Sequence, residues 1–222
     1  MTAGIVPCVE AVRFATEDGV SLEGELRADV DEPRGSAVIC HPHPRHGGSK
    51  DHPLLWAIRN ELAQRGLAVL AFNFRGNMGS GGTYGGGRDE VRDVRAAVGR
   101  VREAVAGATF VCGWSFGANV ALREALDDDR VAGLALVGLP LRTGDVPMPA
   151  LPGPSELRLL KRPVTFLAGE ADTYCPPEDL RDYARALPGA QVVVLEGTDH
   201  FFWRREKEAA TIVGEAAERA LS

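Results

Sequence analysis

The sequence lacks the features that direct a protein to a membrane or to nucleic acid. No apolar stretch approaches the roughly 20 residues that a membrane-spanning helix requires. No long run of lysine or arginine is present and the formal net charge is −6, whereas proteins that bind nucleic acid or anionic lipid display basic patches. Residues 1–12 show no charged segment followed by an apolar one, so we expect no signal peptide. These absences predict a soluble, cytoplasmic protein.

Cysteine is scarce, and its four positions form no ligand or disulfide pattern. Cys8, Cys40, Cys112 and Cys175 lie far apart, and two of them fall within apolar, strand-like runs. Such spacing favours buried thiols in a reducing compartment over a disulfide scaffold. A chain of 222 residues that is 45% apolar can form a core without disulfides or metal. We therefore expect one domain, residues 1–222, with no cofactor and no metal.

Short apolar runs alternate with helical stretches along most of the chain. The runs at 36–41, 67–72, 108–113, 131–138, 164–169 and 191–196 are typical of parallel strands buried on both faces. Helical spacing occurs at 53–65, 89–106, 117–126, 177–187 and 203–221. Residues 9–29 instead alternate around Asp18-Gly19, which predicts an antiparallel hairpin at a sheet edge. The pattern predicts a single doubly wound α/β domain with a mostly parallel, eight-stranded sheet.

The segment Gly113-Trp-Ser-Phe-Gly117 joins a predicted strand to a predicted helix. A Gly-x-Ser-x-Gly sequence in that context is typical of the nucleophile elbow, a sharp turn that exposes the serine at the carboxyl edge of a sheet. The two glycines leave room for the helix to cross close to the strand. We therefore expect Ser115 to be a nucleophile, and the alternative is that it only caps the helix.

A serine hydroxyl needs a base within hydrogen-bond distance to attack near neutral pH. His200 follows the last predicted strand and precedes the last helix, so its loop opens at the same edge of the sheet as Ser115. The acid that orients the base is expected between these two residues in the chain. Asp172, in the loop after the penultimate strand, is our preferred acid, and the alternatives are Asp145, Glu170 and Asp199.

Six motifs follow one another in an order and spacing that can be compared with known families. They are Cys40-His-Pro-His-Pro44, Gly47-Gly48, Asn73-Phe-Arg-Gly76, Gly113-Trp-Ser-Phe-Gly117, Gly169-Glu-Ala-Asp172 and Asp199-His200. Together they resemble the small α/β hydrolases without a cap domain, close to dienelactone hydrolase and bacterial carboxylesterases. Dienelactone hydrolase itself has a cysteine nucleophile where this sequence has Ser115. The resemblance covers nearly the whole chain and implies an α/β-hydrolase fold without a large cap.

The resemblance also implies an oxyanion hole made of two backbone N–H groups. One belongs to the residue after the nucleophile, here Phe116, and the other to the loop after the third strand, here His41-Pro42-His43. Because Pro42 and Pro44 have no N–H to donate, the second donor is assigned to His43.

Two other interpretations of these loops are weaker. His41, His43 and His46 could converge on a metal ion, but no carboxylate or cysteine accompanies them at ligand spacing. Arg75-Gly76 and the glycines that follow could bind phosphate, but the GK[ST] ending of a phosphate loop is missing. We expect Arg75 to belong to a structural hydrogen-bond network instead.

The substrate is expected to be a small carboxylic ester that forms an acyl-enzyme at Ser115. Five prolines leave residues 139–161 irregular, too short for a lid domain but able to line a pocket. Aromatic and thioether side chains near the elbow and base loops could also line that pocket, namely Trp114, Met78, Phe201 and Trp203. Thioesterase or peptidase chemistry stays open, as does a non-catalytic role in binding a small molecule.

Overall fold

A sheet of eight strands organises the chain. The computed structural model describes residues 8–222. Residues 1–7, on which the expectation about a signal peptide mainly depends, and the side chain of Cys8 lie outside the described part. The strands are β1 (Cys8–Ala15), β2 (Ser21–Ala28), β3 (Ser36–Cys40), β4 (Ala68–Phe72), β5 (Thr109–Trp114), β6 (Val131–Val137), β7 (Val164–Gly169) and β8 (Gln191–Leu195).

The strand order across the sheet is β1-β2-β4-β3-β5-β6-β7-β8. Strand β1 pairs antiparallel with β2, and β2 pairs antiparallel with β4. The remaining pairs, from β4 to β8, are parallel. The predicted sheet, mostly parallel with an N-terminal hairpin at one edge, is therefore confirmed.

Helices cover both faces of the sheet, as the non-alternating apolar strands require. The helices are α1 (Pro53–Gln64), α2 (Glu90–Ala104), α3 (Phe116–Asp127), α4 (Pro154–Leu157), α5 (Pro177–Ala184) and α6 (Glu206–Leu221). Apolar residues of α1 and α6 form the core on one face, and those of α2, α3 and α5 form the core on the other. Successive residues of one strand serve opposite faces, as Val38 and Ile39 do. The doubly wound α/β architecture is confirmed.

Two helix boundaries differ from the predicted ones by three residues, and the other boundaries of the predicted helices agree to within two. Helix α6 begins at Glu206 rather than at residue 203, because Phe202 and Arg204 have positive φ angles of 56° and 64° that a helix does not accommodate. Helix α5 ends at Ala184 rather than at residue 187. The next turn is closed by tighter bonds, such as the one from the Leu187 N–H to the Ala184 carbonyl.

The remaining expectations concern single segments. Residues 139–161 are largely irregular, as the prolines predict, and contain the short helix α4. Cys40, Cys112 and Cys175 are buried free thiols, in line with their positions in apolar runs and loops. Among residues 8–222, none of the helices combines the length and the apolar character needed to cross a membrane.

Candidate active site

Ser115 occupies a sharp turn between β5 and α3. Its backbone has φ 56° and ψ −118°, a conformation that costs free energy and is found where the surrounding structure enforces it. The turn depends on close backbone approach at both glycines. A Cβ atom on Gly113 would lie 2.3 Å from the Gly117 carbonyl oxygen, and one on Gly117 would lie 2.2 Å from the Cys40 carbonyl oxygen. No larger residue fits at either position without moving the backbone.

The helix-cap interpretation of Ser115 lacks its defining contact. Although Ser115 stands at the N-cap position of α3, its side chain caps no backbone N–H in the described chain. Its Oγ instead lies 3.0 Å from His200 Nε2. The hydroxyl is therefore directed away from the helix and towards the imidazole.

The loops after β7 and β8 bring a carboxylate and an imidazole to the same edge of the sheet. His200 Nδ1 lies 2.8 Å from Asp172 Oδ2, and both side chains are almost fully buried. The other carboxylate oxygen, Oδ1, accepts hydrogen bonds from the N–H groups of Tyr174 at 2.9 Å and Cys175 at 2.8 Å. These bonds fix the carboxylate so that only Oδ2 faces the imidazole.

The alternative acids point elsewhere. The Asp199 carboxylate accepts a hydrogen bond from the N–H of Phe201 in its own loop, at 2.9 Å. Glu170 is exposed and accepts from the Gly197 N–H at 3.1 Å. Asp145 is exposed in the irregular segment. Of the four carboxyl groups considered, the structure brings only Asp172 to His200.

Gly138 lies against the imidazole of His200, and Trp114 bonds to the backbone of the same residue. Gly138 follows β6 with φ +53°, and a Cβ atom there would lie 3.0 Å from His200 Cε1 and 3.3 Å from Asp172 Oδ2. Trp114 Nε1 donates a hydrogen bond to the backbone carbonyl of His200 at 3.1 Å. Gly138 was not predicted to be a site residue, because it stands at the end of an ordinary apolar run. A glycine terminating the strand beside the elbow was the available signal.

Two backbone N–H groups near the start of α3 have no hydrogen-bond acceptor among the residues that the structure describes. Neither the Phe116 N–H nor the His43 N–H donates a hydrogen bond to another group within residues 8–222. The close packing of Gly117 on the carbonyls of Cys40 and His41 brings the start of α3 against the loop after β3. Both N–H groups are therefore available to an oxygen atom of a ligand.

The histidines after β3 are engaged in protein contacts. His41 is buried, which lowers its pKa to about 4. Its Nε2 accepts from the Phe74 N–H at 3.0 Å, so its Nδ1 carries the proton and donates to the Pro42 carbonyl at 2.6 Å. His46 is exposed. No group of three or more potential ligands placed to hold a metal ion occurs in the described part of the chain.

Arg75 belongs to a partly buried ion-pair network and not to a phosphate loop. Its guanidinium contacts Asp93 and Asp18, each at 2.8 Å, and thereby ties the loop after β4 to α2 and to the β1–β2 turn. The hydrogen bond from Arg75 holds the pKa of Asp18 well below its ordinary value. All three nitrogen atoms of the guanidinium thus donate hydrogen bonds to the carboxylates of Asp93 and Asp18.

Ser115 and His200 open into a cavity of about 410 Å³. Three of the four side chains expected to contact substrate line it: Trp114 as a buried wall, and Phe201 and Trp203 at the exposed rim. Met78 does not, because its loop turns it outward with a φ of 48° and 71% of its surface exposed. The irregular segment 139–161 supplies Pro140, Thr143, Val146 and Met148. His46, His52 and Tyr174 also line the cavity, and the sequence had not singled them out for this role.

The chain is similar to known hydrolases over nearly its whole length. A family model described as an alpha/beta hydrolase domain matches residues 37–221. An uncharacterized protein of Rickettsia prowazekii is 25% identical over 202 residues, which cover 87% of this chain and 83% of that protein.

Solved structures agree with this similarity. An alpha-beta serine hydrolase homologue from Coxiella burnetii is 27% identical, with a TM-score of 0.80 over 93% of this chain and 96% of that one. A serine hydrolase without a lid from Xanthomonas campestris is 26% identical, with a TM-score of 0.78 over 95% of this chain and 94% of that one.

Proposed function

The chain belongs to the alpha/beta hydrolase domain family, and on that premise we propose that it is a serine hydrolase that cleaves small carboxylic esters. One observation carries the proposal. An unbroken series of hydrogen bonds runs from Ser115 Oγ to His200 Nε2 at 3.0 Å and from His200 Nδ1 to Asp172 Oδ2 at 2.8 Å. Ser115 and His200 both line a cavity of about 410 Å³, which is large enough for a small ester.

The reaction proceeds through an acyl-enzyme. His200 Nε2 takes the proton of Ser115 as Oγ bonds to the ester carbonyl carbon, and the imidazolium then gives that proton to the departing alcohol oxygen. Asp172 holds the imidazole with its proton on Nδ1 and stabilises the imidazolium. The N–H groups of Phe116 and His43 donate to the developing oxyanion. A water molecule, deprotonated by His200, releases the carboxylic acid in the second half of the reaction.

A panel of p-nitrophenyl esters of graded chain length tests the proposed function. We expect hydrolysis of the short-chain esters, and the chain length at which kcat/KM falls measures how far the cavity of about 410 Å³ extends from Ser115 on the acyl side. The wild-type protein should also become labelled at Ser115 by a fluorophosphonate. Failure to hydrolyse any ester, together with an unlabelled Ser115, would contradict the proposal and favour a binding role.

Gly138→Ala is expected to lower kcat for p-nitrophenyl acetate by up to about 10-fold, because the contact at 3.0 Å forces the imidazole to shift by less than the 1 Å that can cost 10²-fold. The added methyl group would push the imidazole away from Ser115. Gly144→Ala is the matched control, since Gly144 has nearly the same φ (+54°) but nothing lies within 4 Å of its Cβ position. Both variants place alanine at a similar positive φ, so equal kcat values in the two would refute the steric role of Gly138.

A further prediction concerns Tyr84, which contacts His43, the proposed second oxyanion donor. Burial lowers the pKa of His43 to about 4, so its ring is neutral at pH 7. The ring accepts the Arg45 N–H at Nδ1 over 3.2 Å, so the proton lies on Nε2 and is donated to the Tyr84 hydroxyl oxygen at 3.0 Å. The hydroxyl is left to donate to the Pro147 carbonyl at 3.4 Å. Three loops around the cavity are thus joined through one phenol.

Tyr84→Phe is expected to lower kcat about 10-fold with a smaller change in KM, because the loop of His43 loses one of its supports. This effect is smaller than the roughly 10²–10³-fold cost of losing an oxyanion donor itself. Tyr183→Phe is the control, because the Tyr183 hydroxyl also donates to a carbonyl, that of Pro152 at 3.0 Å, but outside the cavity. Steady-state kinetics and thermal unfolding of both variants separate positioning from stability. An unchanged kcat in Tyr84→Phe would remove Tyr84 from this role.

A further inference from the structure

Exposed aromatic rings are concentrated on the His200 side of the cavity. Tyr174, Phe201 and Trp203, which we call the aromatic wall, line the cavity and expose 40%, 42% and 55% of their surface. The Tyr174 and Phe201 rings lie 4.9 Å and 5.6 Å from the His200 ring. Trp203 lies nearly parallel to Phe201, at 20° and 6.5 Å between centroids. Large aromatic surface exposed at a cavity marks a surface that a ligand covers.

The cavity offers a ligand no permanently charged side chain to pair with. Among its described lining residues there is no lysine, arginine, aspartate or glutamate. Its polar groups are hydroxyls, histidine rings and backbone atoms. A charged ligand group entering it would lose hydration without gaining a counter-charge, which is costly. The cavity therefore selects neutral groups.

The direction of proton transfer assigns the two parts of an ester to different sides of this cavity. The alcohol oxygen receives its proton from His200 Nε2 and must lie within hydrogen-bond distance of that atom. The carbonyl oxygen must face the N–H groups of Phe116 and His43. The alcohol part therefore extends over the imidazole, along the rings that contact it.

We propose that the aromatic wall binds the alcohol part of the substrate and that the preferred alcohols are neutral and contain a flat aromatic ring. This inference rests on the proposed esterase function and adds the class of leaving group. Contacts between aromatic rings contribute beyond the apolar area that they bury, and the preference for an aromatic over a saturated ring should be about 3- to 10-fold.

Benzyl acetate and cyclohexylmethyl acetate form a suitable pair of substrates. They share the acetyl group, so both give the same acyl-enzyme at Ser115, and kcat/KM differs only through the alcohol. Their alcohols are similar in size and acidity, and the saturated ring is at least as apolar. We expect benzyl acetate to be favoured by about 3- to 10-fold. A third ester, 4-carboxybenzyl acetate, should react at least about 10-fold more slowly than benzyl acetate because its charge finds no partner.

Trp203→Leu should lower the benzyl preference, because it removes one of the three rings of the aromatic wall. Trp56→Leu is the matched control, because Trp56 is also 55% exposed but lies on α1 outside the cavity, and it should keep the wild-type ratio. If the wild-type protein hydrolyses both esters equally and Trp203→Leu changes nothing, the assignment of the aromatic wall is overturned while the esterase function stands. If no acetate ester is hydrolysed and a fluorophosphonate leaves Ser115 unlabelled, both proposals fail.

Discussion

Replacement of Ser115 by alanine is expected to lower kcat for p-nitrophenyl acetate by about 10⁴-fold or more, which is the usual cost of losing the nucleophile of such a triad. Without Oγ no acyl-enzyme can form. The proposed oxyanion donors and the cavity remain, so a small rate above the uncatalysed one should persist. Steady-state hydrolysis and labelling by a fluorophosphonate both measure the loss.

The stability of Ser115→Ala should stay close to that of the wild-type protein. The Ser115 side chain makes no capping bond to a backbone N–H in the described chain, so alanine removes no support from α3. The positive φ at this position strains alanine and serine alike. A large fall in the thermal unfolding temperature would instead indicate that Ser115 serves as a structural cap.

His200→Ala provides the second half of this test, since it leaves the hydroxyl in place without its base. We expect labelling to be lost there too. Ser155→Ala, at an exposed position on α4, is the control and should react as the wild-type protein does. Intact labelling in His200→Ala would remove His200 from the role of base.

The order and type of the elements could be predicted because each strand from β3 to β8 is a short apolar run and each long helix has its own periodicity. The sequence placed Ser115, Asp172 and His200 at strand ends, and parallel strands bring such ends to one edge of a sheet. Their approach to within hydrogen-bond distance then follows from β5, β7 and β8 lying on the same side of the sheet order. The sequence therefore allowed a prediction of which strand ends carry the three residues and that these ends share one edge of the sheet.

Contacts between loops could not be predicted in the same way. The hydrogen bonds that connect Tyr84 with His43 and with Pro147 join three segments that share no periodicity. Whether these segments come into contact depends on the course of each loop. Met78 shows the same limit in reverse. Its type and its place in a loop after a strand suggested a pocket residue, but the loop turns at positive φ angles, at Gly76 and at Met78 itself, and the Met78 side chain is exposed.

The role of Asp172 can be tested by a change that keeps the size and most hydrogen bonds of the side chain. In Asp172→Asn the amide oxygen can still accept the N–H groups of Tyr174 and Cys175. The amide NH₂ then faces His200 Nδ1, and two donors cannot share one hydrogen bond. The imidazole should therefore shift to the tautomer with its proton on Nε2, which cannot accept the proton of Ser115.

We expect Asp172→Asn to lower kcat by about 10⁴-fold, the effect of the same change in a serine protease triad, with little loss of stability. Asp199→Asn is the neighbouring control, because an asparagine oxygen can still accept the Phe201 N–H and no contact with the imidazole is involved. The other candidate acids are compared through Asp145→Asn and Glu170→Gln. In the structure, Oδ2 of Asp172 lies 2.8 Å from the imidazole, so both of those variants should stay active. If one of them loses activity while Asp172→Asn remains active, a different carboxyl group orients His200 during catalysis.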